Sequence, residues 1–560
     1  MKRKLDNCCA GTPGYRLAGS GRCTWHQART PLPKALRRRA AGCGQRRCFA
    51  PATFVVAGIL LLLPFVSHAV EKSLLILTTQ AVVEQSLVLD DFVQAKEARG
   101  FRVRVATEAD YGAQGMKGQE RGLEIRRWLK SVKNEFTFLL IIADADYEYG
   151  EIPMFRAWPR HELPEGQCFQ FDIDCRSCIT DWPYAEVTGD WDLNGNGQLG
   201  ETGLDDGAGG IEFNPEFHLG RIPVYFGEVG DVDAILEKTL DYMNQSGSEL
   251  DYRKSILFPS AFFYFRGQEM TLDDVDGAES SEWFIANVLS EREDVDYFTM
   301  YEEEGVVTSR YKSDRPLTQE NLVDEWNNGY GMVFWGGHGL EKTVVRTVWA
   351  RDDNGNDRAE ATEIEAPMMI ESDDAYELPV DKVAFVLGQS CEIGSAEVPG
   401  NLAWSLLRYG GAIGAVASSS VTPGSGMDCA DVDSELLVTT YGSDNLGIYF
   451  FRELINGTYA GSAFAQSKVE LGTEPGREVY AGKMMINYFG DPSVRLYESA
   501  ADVLPEGEKA DAGVDEEGGG DGNCCVTAPA RVRSGRGLNT VFDSVLYYIQ
   551  AEISAVVRGG

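Results

Sequence analysis

The chain has 560 residues, 43% apolar and 11% aromatic, enough to bury one large or two medium cores and too many for a disordered tail. Its formal charge of −36 conceals a basic start: residues 1 to 49 carry twelve Lys and Arg against Asp6, which leaves −47 (−36 − 11) on the remainder. Phosphate binding needs a basic face, so nucleic acid is not an expected partner.

The basic leader runs into an apolar stretch from Phe54 to Val66, followed by Ser67-His68-Ala69. A short apolar core with small residues at 67 and 69 is the order of a secretory signal peptide cleaved after Ala69, so residues 1–69 read as leader and the protein as exported, to periplasm, cell surface or medium. The stretch is shorter than the ~20 residues of a spanning helix, and Pro64 interrupts it. Cysteine usage agrees with export. Cys168, Cys175, Cys178 and Cys429 could form two disulfides in any of three pairings, while Cys175-x-x-Cys178 lacks the second pair of a zinc finger.

From residue 70 strand and helix alternate: Ser73-Leu74-Leu75-Ile76-Leu77-Thr78, a helix ending near Gly100, Phe101-Arg102-Val103-Arg104-Val105, a helix over roughly 120–133, then Phe136 to Ile142. This βαβαβ order predicts a parallel sheet with right-handed crossovers. A second series starts at Ser255-Ile256-Leu257-Phe258, with helices near 278–290 and 318–328. It then presents two apolar runs that stop at glycine: Met332-Val333-Phe334-Trp335-Gly336-Gly337-His338-Gly339, and Val383-Ala384-Phe385-Val386-Leu387-Gly388-Gln389-Ser390-Cys391. A helix with Pro399 in its first turn and a strand Ala412 to Ser418 follow.

Buried parallel strands ending this way deliver an imidazole and a thiol to the carboxyl edge of a sheet, where open α/β folds bind ligands. Past residue 69 only His161, His218 and His338 remain. His161 lies among loop residues and His218 on a strand that suits a packed core; His338 alone stands in a glycine turn and is the candidate acid/base. Cys391 sits among polar turn residues, unlike an inert core thiol. Ser390 is a rival nucleophile, but Gly388-Gln389-Ser390-Cys391-Glu392 lacks the second glycine of a nucleophile elbow. Ser418, Ser419, Ser420, Val421 and Thr422, past the neighbouring strand, are candidate substrate-lining residues.

Residues from about 73 to 497 resemble the gingipain family of clan CD cysteine peptidases. The resemblance rests on the Leu-Leu-Ile opening with Gly100-Phe101-Arg102-Val103-Arg104-Val105, Ile142-Ala143-Asp144-Ala145, Gly220-Arg221-Ile222-Pro223-Val224, Gly337-His338-Gly339, Ser390-Cys391 and Phe489-Gly490-Asp491-Pro492. It implies an α/β fold, a caspase-like catalytic sheet with helices on both faces plus an N-terminal α/β subdomain. It also implies His338 and Cys391 as the dyad, and the backbone amides of Gly339 and Cys391 as the oxyanion hole. Protein or peptide is then the substrate, and that chemistry requires no cofactor. A basic cleavage preference through Asp428, Asp431 or Asp433 is a guess. The alternatives are a transpeptidase or sortase-like processing enzyme, and a surface binding protein with an inactive dyad.

Asp190-Trp191-Asp192-Leu193-Asn194-Gly195-Asn196-Gly197-Gln198-Leu199-Gly200-Glu201 has the spacing of an EF-hand-type calcium loop, with Asp190, Asp192, Asn194, Gln198 and Glu201 as side-chain ligands, Asn196 as the carbonyl ligand and Gly195 at the sharp turn. In a weaker echo, Asp352-Asp353-Asn354-Gly355-Asn356-Asp357, the glycine is out of place. The expected divisions are a leader (1–69), an N-terminal α/β subdomain with the calcium loop (70–250), a caspase-like subdomain (251–499), an acidic Gly-rich linker (500–525) and an amphipathic tail (526–560). The tail could dock on the body or attach to a membrane or cell surface.

Overall fold

The computed structural model describes residues 72–162, 176–268, 273–422, 443–471 and 477–504. The leader, Cys168, Cys175, Cys429, Asp428, Asp431, Asp433 and the segment from 505 onward lie outside the described residues.

Eleven strands form one sheet: β1 (Ser73–Thr78), β2 (Arg102–Ala106), β3 (Phe138–Ala143), β4 (His218–Pro223), β5 (Ser255–Ser260), β6 (Asp296–Tyr301), β7 (Arg315–Pro316), β8 (Met332–Gly336), β9 (Ala384–Gln389), β10 (Ala412–Ser418) and β11 (Ile486–Gly490). Their order is β7-β6-β5-β8-β9-β10-β11-β4-β3-β1-β2. The two sequence halves therefore share a continuous sheet, joined where Phe489 of β11 pairs with Arg221 of β4. Pairing is parallel within each half, and β11 runs antiparallel to β10.

Every residue of β1, β3, β8 and β10 is buried. Parallel strands covered on both faces read as unbroken apolar runs, which is why these segments stood out in the sequence. Helices α1 (Gln80–Gln85), α2 (Leu89–Glu97), α3 (Gly118–Val132), α4 (Val229–Asn244), α5 (Ala278–Phe284), α6 (Gln319–Trp326), α7 (Leu402–Arg408), α8 (Ser443–Ile455), α9 (Ala460–Glu470) and α10 (Arg477–Met485) supply the cover. One packed group runs α2, α4, α7; another pairs α8 with α9, against β9 and β4. In α3 the buried Arg121, Gly122, Ile125, Leu129 and Val132 recur at helical intervals and face the core.

The expectation that Pro399 opens a helix is corrected. The helix starts at Leu402 because the Asn401 side chain accepts from the Trp404 N–H at 3.0 Å, an N-cap that fixes the boundary three residues past the expected turn. The strand Asp296–Tyr301 was not foreseen; its outer half is exposed, so it lacks a continuous apolar run. Among the described residues no helix is long and apolar enough to cross a membrane.

Candidate active site

β8 and β9 are adjacent and parallel, with Gly336 in register with Gln389, so the chain leaves both strands at the same edge. The first departing segment becomes a short strand, His338–Leu340, paired antiparallel with Thr343–Val345. The second turns sharply at Ser390-Cys391-Glu392, where Glu392 takes a φ of 57°, left-handed backbone that a residue with a Cβ rarely occupies.

Ser390 ties the two segments together. Its hydroxyl accepts from Trp335 Nε1 at 3.1 Å and donates to the Gly337 carbonyl at 2.8 Å, both on the histidine-bearing side. Buried and doubly bonded, Ser390 holds the strands in register and is not placed as a nucleophile. Two glycines let the segments close. A Cβ on Gly339 would lie 2.5 Å from the Cys391 carbonyl oxygen, and one on Gly388 would lie 2.2 Å from Ile393 Cδ1. The backbone after His338 therefore touches the backbone of Cys391.

His338 is 8% exposed, and its ring meets Phe263 and Tyr264 edge-on at centroid distances of 5.8 and 5.2 Å. Its Nε2 lies 2.8 Å from the Phe263 carbonyl oxygen. A carbonyl only accepts, so Nε2 carries the hydrogen and Nδ1 is the acceptor nitrogen of the neutral ring. Cys391 is half-buried, and its Sγ accepts from the Thr422 N–H at 3.4 Å.

The hairpin that carries His338 is anchored by Arg346, which directly follows Val345, the register partner of His338. Arg346 Nη1 reaches Glu302 at 3.0 Å and the Leu317 carbonyl at 2.6 Å, and Nη2 reaches Glu304 at 2.9 Å. Burial pushes the Glu302 carboxyl up to about 7, with Arg346 pulling the other way.

Of the candidate substrate-lining residues, Ser418, Ser419, Ser420 and Val421 are buried, and the loop's polar groups turn inward. Ser418 Oγ donates to the Ser420 carbonyl, Ser419 Oγ donates to the Ile179 and Met485 carbonyls, and the Val421 carbonyl accepts from Arg160. Only Thr422 is partly open, beside the sulfur.

The acidic loop folds in a frame two residues later than its sequence spacing suggests. Asp192, not Asp190, takes the leading place: its carboxylate accepts from the N–H groups of Asn196 and Gly197 at 2.8 and 3.0 Å. Asn194 and Asn196 both donate to Glu201, and the buried Asp205, unremarked in the sequence, accepts from the Glu201 and Asn194 N–H groups. Asp190 is exposed and accepts only at its edge, from the Asp192 N–H, while Gln198 contributes its backbone N–H to Asn196. Asp352, Asn354, Asn356, Glu360 and Glu363 repeat this arrangement, with Asp357 at φ 59° where a glycine was expected. In each loop two asparagine amides are interleaved with three carboxylates; among the described residues no three His, Cys, Asp or Glu side chains converge as metal ligands.

A family model, peptidase family C25, matches residues 68–497. The chain belongs to peptidase family C25. Among solved structures this C25 chain is similar to the Arg-specific cysteine proteinase gingipain R, with a TM-score of 0.51 and 14% identity over 77% of this chain and 79% of that one. It is also similar to the complex of RgpB pro- and mature domains from Porphyromonas gingivalis, with a TM-score of 0.50 and 14% identity over 76% and 80%. At such identity the likeness carries the fold, a gingipain-type, caspase-like α/β sheet. A comparison with curated proteins finds no match. Family and fold make the chain a gingipain-like cysteine peptidase.

Proposed function

We propose that this C25 chain is an exported endopeptidase in which Cys391 and His338 form the catalytic dyad. The observation that carries the reading is the junction of the two strand ends: a half-buried sulfur with an N–H aimed at it, backed by the backbone of an imidazole segment whose tautomer a carbonyl fixes. The Cys391 thiolate attacks the scissile carbonyl carbon, a C–S bond forms, and negative charge moves onto the oxygen, which the amides of Gly339 and Cys391 stabilise. His338 Nδ1 passes its proton to the departing amine as the C–N bond breaks. It then takes a proton from water, whose oxygen attacks the thioester carbon and releases the thiolate. A fluorogenic peptide library tests this: wild type cleaves, while Cys391→Ala, His338→Ala and iodoacetamide-treated protein do not. Equal turnover by wild type and Cys391→Ala sinks the proposal, and amino-terminal sequencing of secreted protein checks cleavage after Ala69.

Calcium binding is a separate part of the reading. The oxygen-rich donor set of Asp192, Asn194, Asn196, Glu201 and Asp205 suits a hard cation, and Asp352 to Glu363 offers a second such set. Titration calorimetry with calcium chloride is expected to show binding that Glu201→Gln weakens; absence of heat and of any thermal shift removes it.

A further inference from the structure

The three most exposed large apolar side chains among the described residues are Leu87 (87%), Phe226 (82%) and Tyr149 (71%). Each lies in the connection that follows one of three neighbouring parallel strands: Tyr149 and Phe226 on the loops leaving the carboxyl ends of β3 and β4, and Leu87 in the link between α1 and α2 that follows β1. That edge is continuous with the one bearing Cys391. Tyr225 Oη donates to the Ala396 carbonyl at 2.8 Å, Trp404 Nε1 donates to the Pro223 carbonyl at 3.2 Å, and Arg160 donates to the Val421 carbonyl.

These loops are held, not loose. Phe226 takes a φ of 55°, which a bulky residue adopts only when its surroundings impose it, while Tyr225 beside it is buried and accepts from Asn401. The Leu87 N–H and the Ser86 hydroxyl donate to Asp233 of α4. Asp146 accepts from the Glu148 and Tyr149 N–H groups. Scattered apolar residues on a surface mean little, but three on rigid neighbouring loops at a reactive edge mark a contact surface. The same loops carry the exposed carboxylates Glu148, Glu151 and Glu228, and Glu84 is exposed on α1.

The geometry points to an exosite for polypeptide substrate, in which Phe226, Tyr149 and Leu87 seat large apolar side chains of a substrate segment flanked by basic residues. The inference rests on the peptidase reading. Three to five strand spacings separate β9 from β4 and β1, about 14 to 24 Å, which an extended chain spans in about four to seven residues. Short substrates do not reach the surface; long ones do.

The test compares full-length wild type with Leu87→Ser, Tyr149→Ser, Phe226→Ser and the triple variant, on fluorescein-labelled unfolded casein and on a tripeptide aminocoumarin. For the triple variant KM on casein is expected to rise about tenfold, at unchanged tripeptide kcat/KM and unchanged melting temperature. Wild-type values on both substrates, or equal losses on both, would overturn the exosite. A second arm uses Cys391→Ala protein and a 20-residue Phe- and Lys-rich peptide by fluorescence anisotropy, so it needs no turnover. Binding lost in the triple variant upholds the surface even if wild type proves inert, and binding unaffected removes it.

Discussion

His338 and His218 each sit at a strand end, yet at opposite ends. His338 follows β8 at the carboxyl edge, its Nε2 on a backbone carbonyl and its chain in contact with Cys391. His218 opens β4, its Nδ1 2.7 Å from Ser462 Oγ, its ring edge-on to Phe138, in a polar cavity lined also by Asn214, Glu453 and Thr458. Both have an oxygen or sulfur nucleophile nearby in the fold. The difference is in what each ring is set beside: the chain after His338 packs against the backbone of Cys391, whose sulfur is half-buried, whereas His218 at the amino end of β4 lies against α9.

The largest expected effect breaks the comparison if it is absent. Cys391→Ala should lower kcat by on the order of 10⁴-fold or more, and His338→Ala by about 10²–10⁴-fold, while His218→Ala leaves kcat/KM unchanged, all measured on one fluorogenic peptide. A His218→Ala enzyme as inert as His338→Ala would show that the wrong edge had been chosen.

Next comes Gly339→Ala. The added methyl would overlap the Cys391 carbonyl, so the histidine segment must move; a cost of about 1–3 kcal/mol and a fall in kcat of about 10²-fold are expected, read by thermal melting and steady-state kinetics. Ser390→Ala should cost about 1–3 kcal/mol by leaving Trp335 Nε1 and the Gly337 carbonyl unpaired, yet retain activity far above Cys391→Ala. Complete loss in Ser390→Ala with a native melting curve would instead make the serine hydroxyl the reacting group.

The smallest effect is on stability against pH. Burial lowers the His218 pKa from its ordinary 6.5, so the folded state binds fewer protons than the unfolded one just below that pH. Its contribution is full above about 6.5 and is lost as pH falls through the folded value, with a slope of at most about 1.4 kcal/mol per pH unit. Denaturant titrations from pH 7.5 to 5 should show this slope, and His218→Phe should flatten it; an unchanged slope assigns it to other groups.

The strands were readable because burial on both faces leaves an unmistakable apolar run, and His338 and Cys391 stood out as candidates because each run halts at glycine beside one rare side chain. The frame of the acidic loop was not readable: counted from Asp190 the twelfth position is Glu201 and counted from Asp192 it is Gly203, yet the backbone hydrogen bonds gather on Asp192. Pro399 misled because a helix start depends on which side chain can cap it, and Asn401 does.

Sequence by itself determined which residues carry reactive groups and which segments become core strands, since both follow from local composition and period. Tertiary structure decided the rest: that Phe263, 75 positions before His338, supplies the carbonyl that fixes its tautomer, that Ser390 is a strut, and that loops from both halves share one edge. Those facts arise from pairings between distant parts of the chain, and no local pattern records which distant backbone atom will arrive within hydrogen-bond reach.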